Sequence, residues 1–401
     1  MGRYTELLKT PGVGRIIAAQ LTARFPFGML SLAFLLHVER VHGSYAAAGL
    51  VLGSLSIGQA IAGPLTSRLM GRFGMRRVLT LTLVVCASAI IAMALLPLEI
   101  WQFVAIGFVA GLSMPPVQSA VRTIYPKIVT NAQLTPLFSL DASAQEVIWV
   151  LGPVLTTFVS IRVSTVTGIL TAAGFLIGGG IWFIASPEVG RVRIPRSKRR
   201  LGVVLAKPPV LLATVVGFLL VGACAAVEAG VVAVFGHGSS QSGIVLAVFA
   251  AGSLAGGLTM GHLPISRWAT AQRMLIVTAG MGLAAFSVNV WWLCATLFVA
   301  GIGIAPALAA LFAMTASSVR FSETAEAYGW VGTGQLIGAA LGSAIAGVQI
   351  DRAGPIAAII VAALFALAGF VAAVLGRRYH PDLRGRDASP LPDTEPLRLP
   401  T

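Results

Sequence analysis

A basic stretch, residues 187–208, divides the sequence into two long apolar parts. It contains seven Lys or Arg residues and one acid, Glu188, and charge of this density is costly to place in hydrocarbon. We count six long apolar segments before it and six after it, each near the ~20 residues that a helix needs to cross a bilayer. The pattern predicts a membrane protein whose two halves are joined by an aqueous linker.

The composition supports this interpretation. Only 10% of the residues are charged and 57% are hydrophobic, whereas soluble proteins average about 25% charged residues. The net charge of +14 lies in short loops and not on one soluble face, which argues against a nucleic-acid partner. We find no metal-site spacing among the three cysteines, no nucleotide-binding loop and no nucleophile–base pair, so we expect neither an enzyme nor a bound metal or cofactor.

The apolar segments predict an all-α integral membrane protein of twelve transmembrane helices in two six-helix bundles. Residues 1–186 form the first bundle and 187–208 the linker. Residues 209–376 form the second bundle, with its third helix (the ninth overall) at 272–289, and 377–401 are expected to be a disordered tail because they are rich in Pro, Asp and Arg.

The distribution of basic residues predicts the orientation. With both termini on the same side as the linker, 24 of the 28 Lys and Arg residues lie on that side. Only Arg40, Arg162 and Arg352 lie on the other, and Arg24 is inside the first helix. Loops rich in Lys and Arg stay in the cytoplasm, so we expect the linker and both termini to be cytoplasmic.

The two halves also resemble each other in sequence. A shift of 190 residues places the run Phe108-Val-Ala-Gly111 on Phe298-Val-Ala-Gly301. Two parallel six-helix repeats are typical of one large class of transporters, with the substrate site between them. Other pairs at shifts of 190 or 194 include Gln145 with Gln335, Pro116 with Pro306, and Gly58 with Gly252.

The loop between the second and third helices resembles the signature loop of the major facilitator superfamily, G-x-L-x-D-R-x-G-x-R-R. Ser67 and Gly71 stand at its first Gly and its Asp. The resemblance implies alternating access by two rocking halves and a small-molecule substrate. It also implies a cytoplasmic gate at the loop, although retention of topology alone is an alternative role. The matching residues are Leu69, Arg72, Gly74, Arg76 and Arg77.

Within that superfamily the chain looks most like bacterial drug and metabolite efflux permeases. Gly152-Pro153 resembles the core of the antiporter motif G-x-x-x-G-P-x-x-G-G, and Phe103 stands near the position where such antiporters carry an Arg. The resemblance implies export across a bacterial inner membrane. The flanking glycines of the motif are replaced by Ile148, Thr156 and Thr157.

Charged residues inside the predicted helices are candidates for function. Arg24 and Glu146 lie at similar depths in the first and fifth helices, which the resemblance makes neighbours, and we predict that they pair. The pair is either structural or a place where substrate or a proton competes for Glu146. Glu228 lies near the outer mouth, where it is either simply exposed to water or binds protons or cations.

Two further groups of residues are predicted to control conformation. Arg122 and Asp141, at the cytoplasmic ends of the fourth and fifth helices, form either a gate latch or a static clip. Prolines inside helices remove a backbone hydrogen bond, so they either kink the central path or bend helices for packing. These kink candidates are Pro115, Pro116, Gly152, Pro153 and Pro306.

The sequence therefore favours a monomeric secondary transporter, surrounded by lipid, that exports small apolar or amphipathic molecules, coupled to protons. Its cavity is expected to be lined by the first, fourth, seventh and tenth helices and to hold few polar groups, which disfavours sugars. The alternative is an uptake permease or uniporter for a metabolite. A membrane sensor without transport is less favoured, because the sequence shows no soluble signalling domain.

Overall fold

The computed structural model describes residues 2–197, 199–236, 239–261, 263–384 and 388–393, and within them every regular element is a helix, apart from one isolated β-bridge. The α-helices, in chain order, are α1 (Gly2–Lys9), α2 (Val13–Arg24), α3 (Leu30–His42), α4 (Tyr45–Phe73), α5 (Met75–Leu95), α6 (Ile100–Leu112), α7 (Val117–Ile128), α8 (Asn131–Arg162), α9 (Thr165–Ala185), α10 (Pro187–Arg191), α11 (Pro208–Phe235), α12 (Ser240–Met260), α13 (Ala269–Ala284), α14 (Val290–Ser318), α15 (Phe321–Ala353) and α16 (Pro355–Leu375).

Eleven stretches of the described chain are long and apolar enough to cross a membrane. The predicted ninth helix is α13, which has only 16 residues. It ends at Ala284, because the chain then turns and Asn289 caps the next helix, accepting hydrogen bonds from the backbone N–H groups of Trp291 and Trp292. Asn is a preferred N-cap residue. The prediction that the ninth helix extends to residue 289 is therefore wrong, because residues 285–289 are not part of an α-helix.

Two of the spans are interrupted near mid-depth. The first consists of α2 and α3, joined by a 3-10 turn at Phe25–Gly28, and the fourth consists of α6 and α7, which are separated at Ser113–Pro116. The predicted break at Pro115 and Pro116 is therefore present. In contrast, α8 and α14 run without a break through Pro153 and Pro306.

Each half repeats the same helix contact. In the first bundle Gly58 of α4 packs on Gly111 of α6, and in the second Gly252 of α12 packs on Gly301 of α14. A Cβ on Gly58 would lie 3.0 Å from the carbonyl carbon of Gly111, and one on Gly301 would lie 3.0 Å from that of Gly252. Small residues allow this close approach of helices in lipid. The residues matched by the sequence repeat thus occupy equivalent positions.

The linker and the described part of the tail pack against one end of the bundles, which we call the linker side. Val189, Val192 and Val204 are buried there. Gly74, at φ +91°, makes the tight turn from α4 to α5 on the same side, a conformation that favours glycine. Lys198, counted in the basic linker, lies outside the described residues.

The tail differs from the expected disorder where it is described. His380 is buried against Thr270, with 2.8 Å between Nε2 and Oγ1. Farther along, the N–H of Leu391 donates to the carbonyl of Val319, and the Ser389 hydroxyl donates to the Asn131 side chain across the two bundles. Backbone pairing and burial order this segment despite its composition. Residues 385–387 and 394–401 lie outside the described part.

Candidate functional site

A cavity of about 250 Å³ lies between the two bundles. The first, fourth, seventh and tenth spans contribute to its wall as expected, and α4, α8, α12 and α15 contribute as well. Arg24, Glu146 and Glu228 all face it, so the structure brings the three predicted intramembrane candidates to one site. The amides around the cavity, Gln59, Gln118, Gln145 and Gln335, make it more polar than expected.

A buried charge cluster lies behind one wall of the cavity and reaches it through Arg24. Asp141 is fully buried, and its two carboxylate oxygens accept hydrogen bonds from different arginines. Oδ1 lies 3.4 Å from Nη1 of Arg24, and Oδ2 lies 3.0 Å from Nε of Arg122. Gln20 also donates to Oδ1, at 3.0 Å. One carboxylate thus serves two guanidinium groups, and the three charged groups carry a net charge of +1.

Arg122 also connects the two bundles. Its guanidinium lies 3.4 Å from the centre of the Phe312 ring in α14, a cation–π contact. Arg122 and Asp141 do pair, as expected, but they lie six residues from the end of α7 and ten from the start of α8. The pair is therefore deeper than the helix ends to which the sequence assigned it.

The predicted pair of Arg24 and Glu146 is not formed. Arg24 donates instead to Gln20, Asp141 and Gln145. Asp141 and Gln145 are four residues apart and share a face of α8, whereas Glu146 is turned by about 100° from Gln145. This rotation directs Glu146 toward the second bundle, where it accepts a hydrogen bond from the Ser253 hydroxyl at 2.9 Å.

Glu228 lies on the wall contributed by the second bundle. Its side chain is exposed, and it lies 20 residues into α11, toward the side opposite the linker. That wall is otherwise mainly apolar, while the first bundle supplies most of the polar groups. The two walls therefore differ in chemistry. Among the described residues no three His, Cys, Asp or Glu side chains come together as a metal site.

The helix backbones of the two bundles approach each other closely at two glycines. A Cβ on Gly329 of α15 would lie 2.5 Å from the carbonyl oxygen of Gly63 in α4. One turn along α15, Thr333 donates to the carbonyl of Ala60 at 2.9 Å. On the other side of the cavity, Ser139 of α8 donates to the carbonyl of Gly257 at 2.8 Å. These contacts lie between the cavity and the linker side, so the cavity is closed on that side.

Ion pairs reinforce this closure. Arg68 of α4 pairs with the buried Glu326 of α15, with 3.0 Å between Nη1 and Oε2. The second oxygen of Glu326 accepts from the backbone N–H of Gly202 in the linker at 2.8 Å. Glu323 pairs with Arg199 at 3.3 Å and with Lys207 at 2.6 Å. First bundle, linker and second bundle are thus joined at the two acids that open α15.

The comparisons with known proteins agree with this architecture. The family model described as Major Facilitator Superfamily matches residues 16–286 and 224–398. The chain belongs to this superfamily. Its members are membrane transporters of small molecules, and the protein is accordingly a multi-pass membrane protein. A search of curated proteins gave no sequence match.

Solved structures of superfamily transporters share this fold at low sequence identity. The human organic anion transporter MFSD10 (TETRAN) is 16% identical with a TM-score of 0.69, over 90% of this chain and 98% of its own. A bacterial homologue of the iron transporter ferroportin, in an outward-facing state, is 11% identical with a TM-score of 0.70, over 91% and 98%. The proton:xylose symporter XylE is 14% identical with a TM-score of 0.69, over 94% and 98%.

For the signature-loop residues that the sequence selected, the structure describes no hydrogen bond or ion pair to the second bundle. Arg72 lies over the ring of Phe73, and Arg76 donates to the carbonyl of Ser186 at 3.3 Å within the first bundle. Arg77 is exposed. The ion pair between the bundles is formed by Arg68. Arg68 stands at a variable position of the motif, so the sequence analysis did not select it. Its partner Glu326 and the nearby Glu323 were not selected either.

Replacing Arg68 with glutamine is expected to weaken closure of the linker side. The pair is partly exposed, so its loss should cost about 1–2 kcal/mol, a five- to thirtyfold fall in the population of the closed state. Spin labels at Phe73 and Leu263, on the linker-side ends of the two bundles, would report a longer distance. Arg193→Gln, which removes an exposed linker charge, is the control. Equal distance distributions in Arg68→Gln and the wild type would contradict the role of the pair.

Proposed function

We propose that the protein is a proton-coupled exporter of small amphipathic organic molecules, working by alternating access across the bacterial inner membrane with its linker and termini in the cytoplasm. The observation that carries this proposal is the placement of Glu146. Its carboxylate faces the cavity and also accepts a hydrogen bond from Ser253 in the opposite bundle. One group therefore contacts both the substrate space and the seam that opens during transport.

Glu146 can couple protonation to conformation for an electrostatic reason. A charged carboxylate is costly inside a membrane, and Arg24 is already held by Asp141 and Gln145. Closing the seam around Glu146 costs less when the carboxyl group carries a proton. A proton taken up from the side opposite the linker would therefore allow the cavity to close on that side after a bound molecule has left, and the proton would be released when the linker side opens. A proton would thus move inward as a molecule moves outward.

The walls of the cavity support an amphipathic substrate. The polar side of such a molecule can hydrogen-bond to Gln59, Gln118 and Gln145 of the first bundle, and its apolar side can pack on the second bundle. Ligand sites typically combine a mostly apolar lining with a few polar groups that orient the ligand. Glu228, exposed on the otherwise mainly apolar wall, supplies a second carboxylate that can bind a proton.

The test is transport in everted membrane vesicles with a compound selected by a thermal-shift panel on the purified protein. We expect a pH gradient with the acidic side inside the vesicles to drive accumulation of that compound. Glu146→Gln should reduce this accumulation about five- to 150-fold, the usual range of a coupling free energy of about 1–3 kcal/mol. It should leave exchange of the compound in the absence of a gradient largely intact.

Asp351→Asn is the matched control, because it removes an exposed carboxylate at the end of α15, outside the cavity. Gradient-driven accumulation by Glu146→Gln at the wild-type level would remove this residue from coupling. Accumulation in right-side-out vesicles, but not in everted ones, would support the uptake permease instead. Glu228→Gln, tested in the same assay, separates the contributions of the two carboxylates.

A further inference from the structure

A second concave site lies on the membrane-facing surface of the first bundle. It is an apolar groove of about 530 Å³ between α5 and α9. Val84 on α5 and Ile181 on α9 are each 57% exposed, so this face is in contact with lipid. The floor is closed by a tight helix contact, since a Cβ on Gly180 would lie 2.8 Å from the Leu83 side chain. The groove is thus a fixed feature of one bundle and is not part of the seam.

The dimensions of the groove match one leaflet of a bilayer. Along α5 it extends from Thr80 to Ile91, which is about 16 Å at 1.5 Å per residue. The hydrocarbon core of a bilayer is about 30 Å thick, so one leaflet occupies about half of this. The groove begins one turn from the linker-side end of α5. An acyl chain of the linker-side leaflet would therefore lie along its whole length.

Two arginines mark the headgroup end of the groove. Arg76 and Arg77 precede Thr80 by four and three residues, so they lie on the same face of α5 as the groove. Arg76 is held by the carbonyl of Ser186. Arg77 is exposed, and the structure describes no ion pair or hydrogen bond from it. The acidic residue of the adjacent α10, Glu188, forms an ion pair with Arg15, with 2.5 Å between Oε1 and Nη2.

We propose that this groove binds one anionic phospholipid of the linker-side leaflet, with an acyl chain between α5 and α9 and its phosphate at Arg77. Basic residues beside an apolar groove select anionic headgroups through charge, while the groove itself accepts any acyl chain. This assignment gives Arg77 of the signature loop a ligand, whereas no contact of Arg77 with the second bundle is described. It does not depend on which molecule the central cavity carries.

The test is native mass spectrometry of the purified full chain, titrated with dioleoyl phosphatidylglycerol or dioleoyl phosphatidylcholine. We expect the first phosphatidylglycerol to bind about fivefold more tightly, as expected for one basic residue near a membrane surface. Arg77→Gln should abolish this preference. Ser88→Phe, which fills the groove from an exposed lining position, should weaken binding of both lipids.

Two matched controls separate the site from general effects. Arg72→Gln removes a charge from the same loop away from the groove, and Val85→Phe adds a ring to α5 at a position that does not line the groove. Both should behave as the wild type. Equal affinity of the wild type for the two lipids would overturn the proposal. Loss of the preference in Arg72→Gln to the same extent as in Arg77→Gln would also overturn it.

Discussion

Replacing Gly329 with valine is expected to prevent closure of the linker side and to abolish most transport. Gly329 faces backbone atoms of α4, and its added Cβ would lie 2.5 Å from the Gly63 oxygen and 2.8 Å from Cα of Pro64. Helix backbone cannot turn aside as a flexible side chain can. Overpacking of this kind costs about 1–3 kcal/mol, which lowers the population of the closed state roughly five- to 150-fold.

The measurement is the distance between spin labels at Phe73 and Leu263, together with the transport rate. Gly347→Val in α15 and Gly53→Val in α4 are the matched controls, because a Cβ at either position meets no atom within 4 Å. These two variants should close and transport as the wild type does. A Gly329→Val protein with wild-type distances would show that the two glycines do not limit closure.

Asp141→Asn is expected to give the largest loss of stability of any single carboxylate replacement in this chain. The fully buried carboxylate holds both Arg24 and Arg122, which are themselves buried. Removing one partner of a buried ion pair costs about 3–5 kcal/mol, because the remaining charge is left uncompensated. Here two guanidinium groups would lose their carboxylate. Thermal unfolding in detergent should show a correspondingly lower midpoint.

Two further variants define the origin of this effect. Asp382→Asn removes a partly exposed carboxylate whose described ion pair is with Arg384, two residues away, so it should change the midpoint little. Arg122→Met in the Asp141→Asn background should recover part of the loss, because it removes one of the unpaired charges while keeping an apolar side chain against Phe312. An Asp141→Asn protein that unfolds at the wild-type temperature would contradict the role of the cluster.

Some residues of the site can be identified from the sequence alone, and others cannot. Gln145 and Gln335 match at a shift of 190 residues, and both line the cavity. Glu146 and Glu228 were found because charge inside an apolar segment is rare. Arg68 and Glu326 had no such signal. They are 258 residues apart, lie near helix ends where charge is ordinary, and become significant only when α4 and α15 meet.

Hydropathy and charge vary along the chain itself, and so the apolar spans, the twofold repeat and the linker between the halves can be read from the order of residues. The rotation of each helix about its axis cannot be read from the sequence, because it depends on packing against segments hundreds of residues away. A turn of about 100° on α8 decides that Arg24 meets Asp141 and Gln145 while Glu146 meets Ser253. Only the tertiary structure determines this rotation, and it thereby determines the partners of the charged residues at the site.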